Sequence, residues 1–312
     1  MSFRQAGLFA VFKSLLKLLV AGSFLVAGST AVAQAPSPGG WTFTLDGGFA
    51  VQGDADLDGD SGSYSLHRTF YSAGLDYRWN YRNSVGLSVG AGTTDYDFEG
   101  SDGGAVAGPW DEVDEWRVSL PTRLALGETS TLFMIPTLRD SGESGSSDGQ
   151  SWGLLAGAAW RFDADLTIGP GIGVISRLEE SARVFPILLI DWNITERWNL
   201  STGRGLAASQ GPGLTLSYRL TPAWQIGLAG RYEEIQFRLD NAGAAPGGVG
   251  EDRAIPLVVT AGWSPNRQVR LGMFAGLEFG GELNLYDARG RQVESRDYDT
   301  APVYGATFAF DF

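Results

Sequence analysis

The feature that most constrains this chain is alternation of large apolar residues with small or polar ones. In the last block, Pro302, Tyr304, Ala306, Phe308, Phe310 and Phe312 share one face, and Val303, Gly305, Thr307, Ala309 and Asp311 share the other. Residues 269–279 repeat the pattern: Val269, Leu271, Met273, Ala275, Leu277 and Phe279 stand against Arg270, Gly272, Phe274, Gly276 and Glu278. Blocks at 41–51, 152–162 and 166–178 do the same. Successive side chains of an extended strand point to opposite faces, so a period of two means strand. Beyond residue 33 no run of about 18 apolar residues exists, which removes any helical route across a bilayer.

Fourteen strands are expected, beginning near residues 41, 64, 83, 112, 130, 151, 166, 182, 196, 212, 223, 252, 267 and 300. Their connections alternate in length. Trp79 to Ser84, Gly127 to Ser130, Asp163 to Asp165, Asn193 to Arg197, Leu220 to Ala223 and Ser264 to Arg267 are short and carry turn residues. Segments 53–63, 98–111, 140–150, 240–251 and 286–299 are longer and polar, whereas 179–181 and 207–211 break that trend by being short. In hydrocarbon every backbone polar group must pair internally, so a spanning sheet has to close on itself. The expected fold is therefore all-β: a closed antiparallel transmembrane β-barrel of about 14 strands, with 12 or 16 as the alternatives. Trp41, Trp79, Trp152, Trp160, Trp192, Trp198, Trp224 and Trp263 sit near strand ends, where interfacial girdles place an apolar ring with a polar N–H. The competing fold is a secreted soluble sandwich, with one wet face on each of two sheets.

The N-terminus reads as a leader. Arg4, Lys13 and Lys17 precede or enter the apolar stretch Leu15 to Ala27, and Ala31-Val32-Ala33 has the form of a signal-peptidase site. Residues 1–33 are expected to be a signal peptide of the Sec pathway, 34–40 a short lead and 41–312 the barrel. Losing Arg4, Lys13 and Lys17 leaves 20 bases, all arginine, against 36 acids. That balance excludes nucleic acid as a partner, since phosphate binding needs a basic stripe. With no cysteine and one histidine, disulfide scaffolds, zinc–thiolate sites and multi-histidine centres are excluded as well.

Several residues suggest chemistry. Arg117, Arg123, Arg139, Arg161, Arg177, Arg219, Arg231, Arg238 and Arg270 fall on polar faces, as do Glu115, Asp191, Glu233, Glu278 and Glu282. A charge facing lipid costs about 2–4 kcal/mol at the midplane, so these are expected to line the lumen. There, opposed charges either select solutes or brace a plugged wall. At about 4.8 Å between strands and a tilt of about 40°, 14 strands give a backbone radius of roughly 14 Å. The inward glycines Gly169, Gly171 and Gly173 are expected to leave room inside.

Three further patterns stand out. Asp54, Asp56, Asp58 and Asp60 have the D-x-D-x-D-G spacing that suits calcium in an outer loop, but Ser65 stands where an EF-hand has glutamate. No other cofactor is expected. Ser65 and His67 share a face, as in outer-membrane lipases, yet the order is reversed, Thr69 follows His67 by two, and no third group is identifiable. Near Glu233-Glu234 the alternation slips, with Ile226 and Leu228 on one parity and Ile235 and Phe237 on the other. A β-bulge near Glu233 is expected to explain it.

These residues resemble Gram-negative outer-membrane β-barrel proteins. Tyr304, Phe308, Phe310 and the terminal Phe312 look like the signal read by the barrel-assembly machinery. The stretch from Pro186 to Phe312 is similar to an uncharacterised, porin-like family of such barrels. The likeness is carried by Gly211-Pro212-Gly213-Leu214, Tyr218, Arg231-Tyr232-Glu233-Glu234, Phe237-Arg238-Leu239, Gly250-Glu251-Asp252 and Ile255-Pro256-Leu257. The resemblance implies the cell outer membrane, a periplasmic position for residues 34–40 and both termini, and membrane lipid and lipopolysaccharide as partners. It implies no catalytic residues. The leading functional expectation is a porin-like channel for small hydrophilic solutes. A non-conducting structural or surface-interaction barrel is the alternative, and an outer-membrane hydrolase the remote one.

Overall fold

The computed structural model describes residues 39–59, 62–101, 104, 108–202 and 213–312. The expected leader 1–33, most of the expected lead 34–40, Asp60 and the connection 207–211 lie outside the described residues. Fourteen staves form one closed sheet: β1 Gly40–Asp56, β2 Ser63–Asn80, β3 Asn83–Glu99, β4 Glu112–Ser119 with Thr122–Leu126, β5 Ser130–Glu143, β6 Gln150–Arg161, β7 Leu166–Arg177 and β8 Glu180–Asn193. The rest are β9 Trp198–Thr202, β10 Gly213–Arg219, β11 Trp224–Arg231 with Glu233–Arg238, β12 Val249–Trp263, β13 Val269–Tyr286, and β14 Gln292–Tyr298 with Ala301–Asp311. Each stave pairs antiparallel with the next, and β14 closes on β1 from Thr44↔Asp311 to Gln52↔Val303. The last stave starts at Gln292, earlier than expected, because a break after Tyr298 divides it.

One face of the wall is built for lipid. Leu188, Ile172, Leu228, Val259, Met273 and Tyr304 are exposed on its outer side. All eight tryptophans expected at strand ends are exposed too. Seven of them cluster at the short-turn end, where Trp41 lies tilted against Tyr77 at 5.0 Å and Trp198 against Tyr218 at 4.9 Å. Such surface would be untenable in water and is what a bilayer covers.

At the long-loop end the barrel is not hollow. Bulges shift the register of β1 between Gln52 and Ala55, and of the β12–β13 pair beside Arg253 and Ile255. Each bulge turns the odd-numbered residues inward, so Ala55, Leu57, Leu283 and Leu285 meet in the interior. They pack with Tyr64, Tyr96, Phe98, Trp110, Phe237 and Tyr298, Tyr64 lying edge-on to Tyr298 at 4.9 Å and Trp110 to Phe237 at 5.1 Å. The bulge expected near Glu233 is absent. Register runs unbroken from Gly230↔Leu257 to Glu233↔Ala254. The strand keeps its faces, and the interior changes instead, from polar below to apolar above. Ile235 and Phe237 point inward because an apolar core awaits them there.

That core draws the two sides of the barrel together. Arg238 on β11 pairs in parallel with Gly142 on β5, six staves away round the ring. The β7–β8 turn then lies over the outer face of the upper β11 and β12, where Leu178 N donates to Gln236 Oε1 at 3.3 Å.

The inward glycines do not leave space. A Cβ on Gly173 would overlap the Phe185 ring, and one on Gly157 would stand 2.6 Å from Phe133 Cε1. Phenylalanine rings from neighbouring staves lie across these positions and fill them.

Candidate functional site: a bent series of cavities

Three cavities run through the interior. A vestibule of about 460 Å³ opens at the short-turn end, lined by Asp46, Phe70, Asn199, Ser201, Thr215, Ser217, Arg219, Gln225, Thr260, Arg270 and Thr307 among others. Above it lies a chamber of about 200 Å³ with Asp46, Arg68, Phe70, Ser72, Glu115, Arg117, Arg139 and Ser141 in its wall. A side cavity of about 300 Å³ lies between β5–β8 and the upper β11, lined by Arg139, Ser151, Ile175, Arg177, Leu178, Arg183, Phe185, Pro186, Tyr232, Glu234 and Gln236. Asp46 and Phe70 belong to both vestibule and chamber, and Arg139 to both chamber and side cavity. The series therefore bends round the apolar core rather than passing through it.

The polar groups are placed by strand alternation. Asp46 points inward from β1 and accepts from Ser72 Oγ at 2.8 Å. Arg139 Nη2 donates to Glu115 Oε2 at 2.6 Å, with nine-tenths of the Arg139 side chain buried. That ion pair is the partition between chamber and side cavity. Arg117 makes no side-chain hydrogen bond or ion pair among the described residues, and its field acts on Asp46. Arg68 Nε donates to Thr94 Oγ1 at 3.2 Å and stands 3.6 Å from Glu233.

Beside the side cavity, Glu251 is fully buried and takes the charge of two arginines. Arg177 Nη2 and Arg253 Nη2 each lie 2.5 Å from it, and Gln236 Nε2 donates to it at 2.6 Å. Arg177 also pairs with Glu180, and Arg183 pairs with Glu234. Removing one partner from such a buried group costs about 3–5 kcal/mol, so these residues hold the upper wall as a unit.

The expected lumen residues divide accordingly. Arg117, Arg139, Arg177, Arg219, Arg270 and Glu115 line cavities. Arg123 and Arg161 are exposed towards the short-turn end and line none of the three. Asp191 is exposed there and accepts from Asn199 Nδ2 at 2.9 Å. Arg231 is buried 3.7 Å from Glu233, and Glu278 is sealed beneath Tyr298 Oη at 3.2 Å. Glu282 is turned outward by the β13 bulge, facing Arg253. Arg238 is buried on the outer side of β11, where it donates to the carbonyls of Asp148 and Gly247 and to Glu179.

Asp46, Arg68, Arg183, Phe185 and Gln236 are not assigned from sequence. Alternation alone placed Asp46 on the inner face of its block; no local pattern pointed to the others.

The remaining candidates lie at the upper ends of β1 and β2. Asp54, Asp56 and Asp58 are exposed positions alternating with the buried Ala55 and Leu57, which accounts for their spacing. Among the described residues no three His, Cys, Asp or Glu side chains are grouped to hold a metal ion; Asp60 is not among them. His67 stacks on Phe49 at 6.4 Å and stands 3.8 Å from Asp95. No hydrogen bond joins it to Ser65 among the described residues, and a nucleophile needs its base within that reach.

No family model matches the chain, and no curated protein matches it. Among solved structures it is similar to an outer-membrane channel from Pseudomonas putida F1, at 10% identity and a TM-score of 0.44, covering 92% of this chain and 100% of that one. The toluene transporter TodX of Pseudomonas putida aligns at 10% identity and a TM-score of 0.39, over 88% of this chain and 90% of its own. The translocator domain of the autotransporter NalP from Neisseria meningitidis aligns at 10% identity and a TM-score of 0.37, over 99% of this chain and 98% of its own.

Proposed function

We propose that this barrel sits in a Gram-negative outer membrane and is a porin-like channel for weakly selective passage of small hydrophilic solutes. It has no catalytic role in this reading. One observation carries it: the three interior cavities share lining residues in sequence, at Asp46 and Phe70 and then at Arg139. A barrel kept only for structure has no need of a charged partition between two chambers. The route is narrow and bent, because the apolar core blocks the straight path. Arginines and carboxylates face one another along it, and their transverse field orders polar solutes as they pass. The membrane partners, lipopolysaccharide and the assembly machinery that reads Phe312, belong to the same proposal.

Single-channel recording of the refolded protein in planar bilayers tests it. Discrete steps are expected, smaller than those of an unobstructed barrel of equal strand number. Correctly folded protein that never conducts would remove the channel and leave the structural alternative.

A further inference from the structure

We propose that the side cavity binds a small carboxylic acid with an apolar body about the size of one ring. The inference deepens the channel reading, since it takes this cavity as a station on the solute route.

The cavity has two unlike walls. Ile175, Leu178, Phe185 and Pro186 make one of them apolar. The Phe185 ring is fixed in place, lying across Gly173 of the neighbouring stave. Arg139, Arg177 and Arg183 make the other, with Glu234 as the single acid in the lining. A guanidinium offers five donors. Arg139 spends one on Glu115, and its Nε has no partner among the described residues although the side chain is nine-tenths buried. Arg177 Nε is likewise unpartnered. Arg183 is half exposed, pairs with Glu234 and lies over the Tyr232 ring at 5.8 Å. Glu234 is itself taken up by Arg177, Arg183 and the Tyr232 hydroxyl, which donates to it at 2.9 Å. The lining thus sets three guanidinium groups against one engaged carboxylate, although Arg177 is held from behind by Glu180 and Glu251. A cation finds its one carboxylate already engaged. A neutral apolar molecule leaves the donors unanswered. A carboxylate answers them with charge-assisted hydrogen bonds, and its apolar body meets Phe185 and Leu178. At about 300 Å³ the space suits a molecule of ring size, not an oligomer.

The probe is benzoate, titrated by saturation-transfer NMR and calorimetry into the full-length protein in detergent, with benzyl alcohol and benzylamine as neutral and cationic counterparts. Benzoate is expected to bind about tenfold tighter than benzyl alcohol, and benzylamine not at all. Phe185→Ala and Arg183→Gln should each weaken benzoate about tenfold. Heat-modifiable migration shows whether each variant folds; Phe185→Leu and Arg183→Lys, which keep the apolar bulk or the charge, serve where the first pair does not. Benzylamine binding as tightly as benzoate, or benzoate affinity untouched by changes at both residues, would overturn the proposal. Binding without conductance would leave this site standing and remove the channel; conductance without benzoate binding would do the reverse.

Discussion

Asp287 shows how far a single side chain can organise an outer turn. It accepts from the backbone N–H groups of Arg289 at 2.9 Å and Arg291 at 3.0 Å, and from the Arg291 guanidinium at 2.8 Å. The Arg291 backbone N–H, then its side chain, then the Arg289 N–H hold the carboxyl down to about 2. A depressed carboxyl stabilises the folded turn above its ordinary value of 3.8, and the contribution disappears as pH falls through about 2. Carboxyl NMR titration should give a midpoint near 2; one near 3.8 would show the turn unformed. Gly173 makes the opposite kind of demand, for the absence of a side chain. Gly173→Ala forces the Phe185 ring aside and is expected to cost about 1–3 kcal/mol in urea unfolding. In a Phe185→Ala background the same change should cost almost nothing. Equal costs in both backgrounds would mean the ring does not lie across that glycine.

Among the staves, period two was legible wherever one face meets lipid and the other a polar interior. It found β1, β6, β7, β13 and β14 and gave the right number in all. It misled at β11, where Ile235 and Phe237 looked like residues on the wrong face. A pattern of apolar and polar residues reports the contrast between two environments, not the direction of a side chain. Where the interior itself turns apolar, an inward Phe237 reads like an outward one. The same ambiguity hid the bulges in β1 and β13, since Asp54-Ala55-Asp56-Leu57 alternates as cleanly with its faces exchanged. Lower on β12 the contrast holds and can be tested one residue apart. Val259 is 62% exposed on the lipid side, whereas Thr260 lines the vestibule. Val259→Arg should lose about 2–4 kcal/mol and assemble poorly into vesicles, and Thr260→Arg should assemble normally. Heat-modifiable migration distinguishes them; equal assembly would contradict the assigned faces.

Across the whole molecule, the sequence showed a barrel with charge inside but not where the charge would be useful. Arg68, Arg183 and Glu234 acquire their roles from β5 and β11 meeting across the ring, a contact between segments about a hundred residues apart that no local pattern records. Arg238 fastens that meeting. Almost fully buried, it binds the carbonyl of Asp148 on the β5–β6 connection, the carbonyl of Gly247 on the β11–β12 connection, and Glu179 at the β7–β8 turn. Three separate outer connections depend on one guanidinium, with no covalent link to replace it. Arg238→Ala leaves Glu179 without its partner and the carbonyls without their donor, while the apolar core beneath keeps its own contacts. The expected result is a folded barrel whose upper end opens: larger conductance steps, and proteolytic cutting within 144–149 that the parent resists. Arg238→Lys restores the charge but not the fork of donors, and should fall between the two. If conductance stays at the parent value while cutting increases, then the closed upper end does not limit passage. The constriction would then lie at the Arg139–Glu115 partition, where Glu115→Gln is the next variant to record.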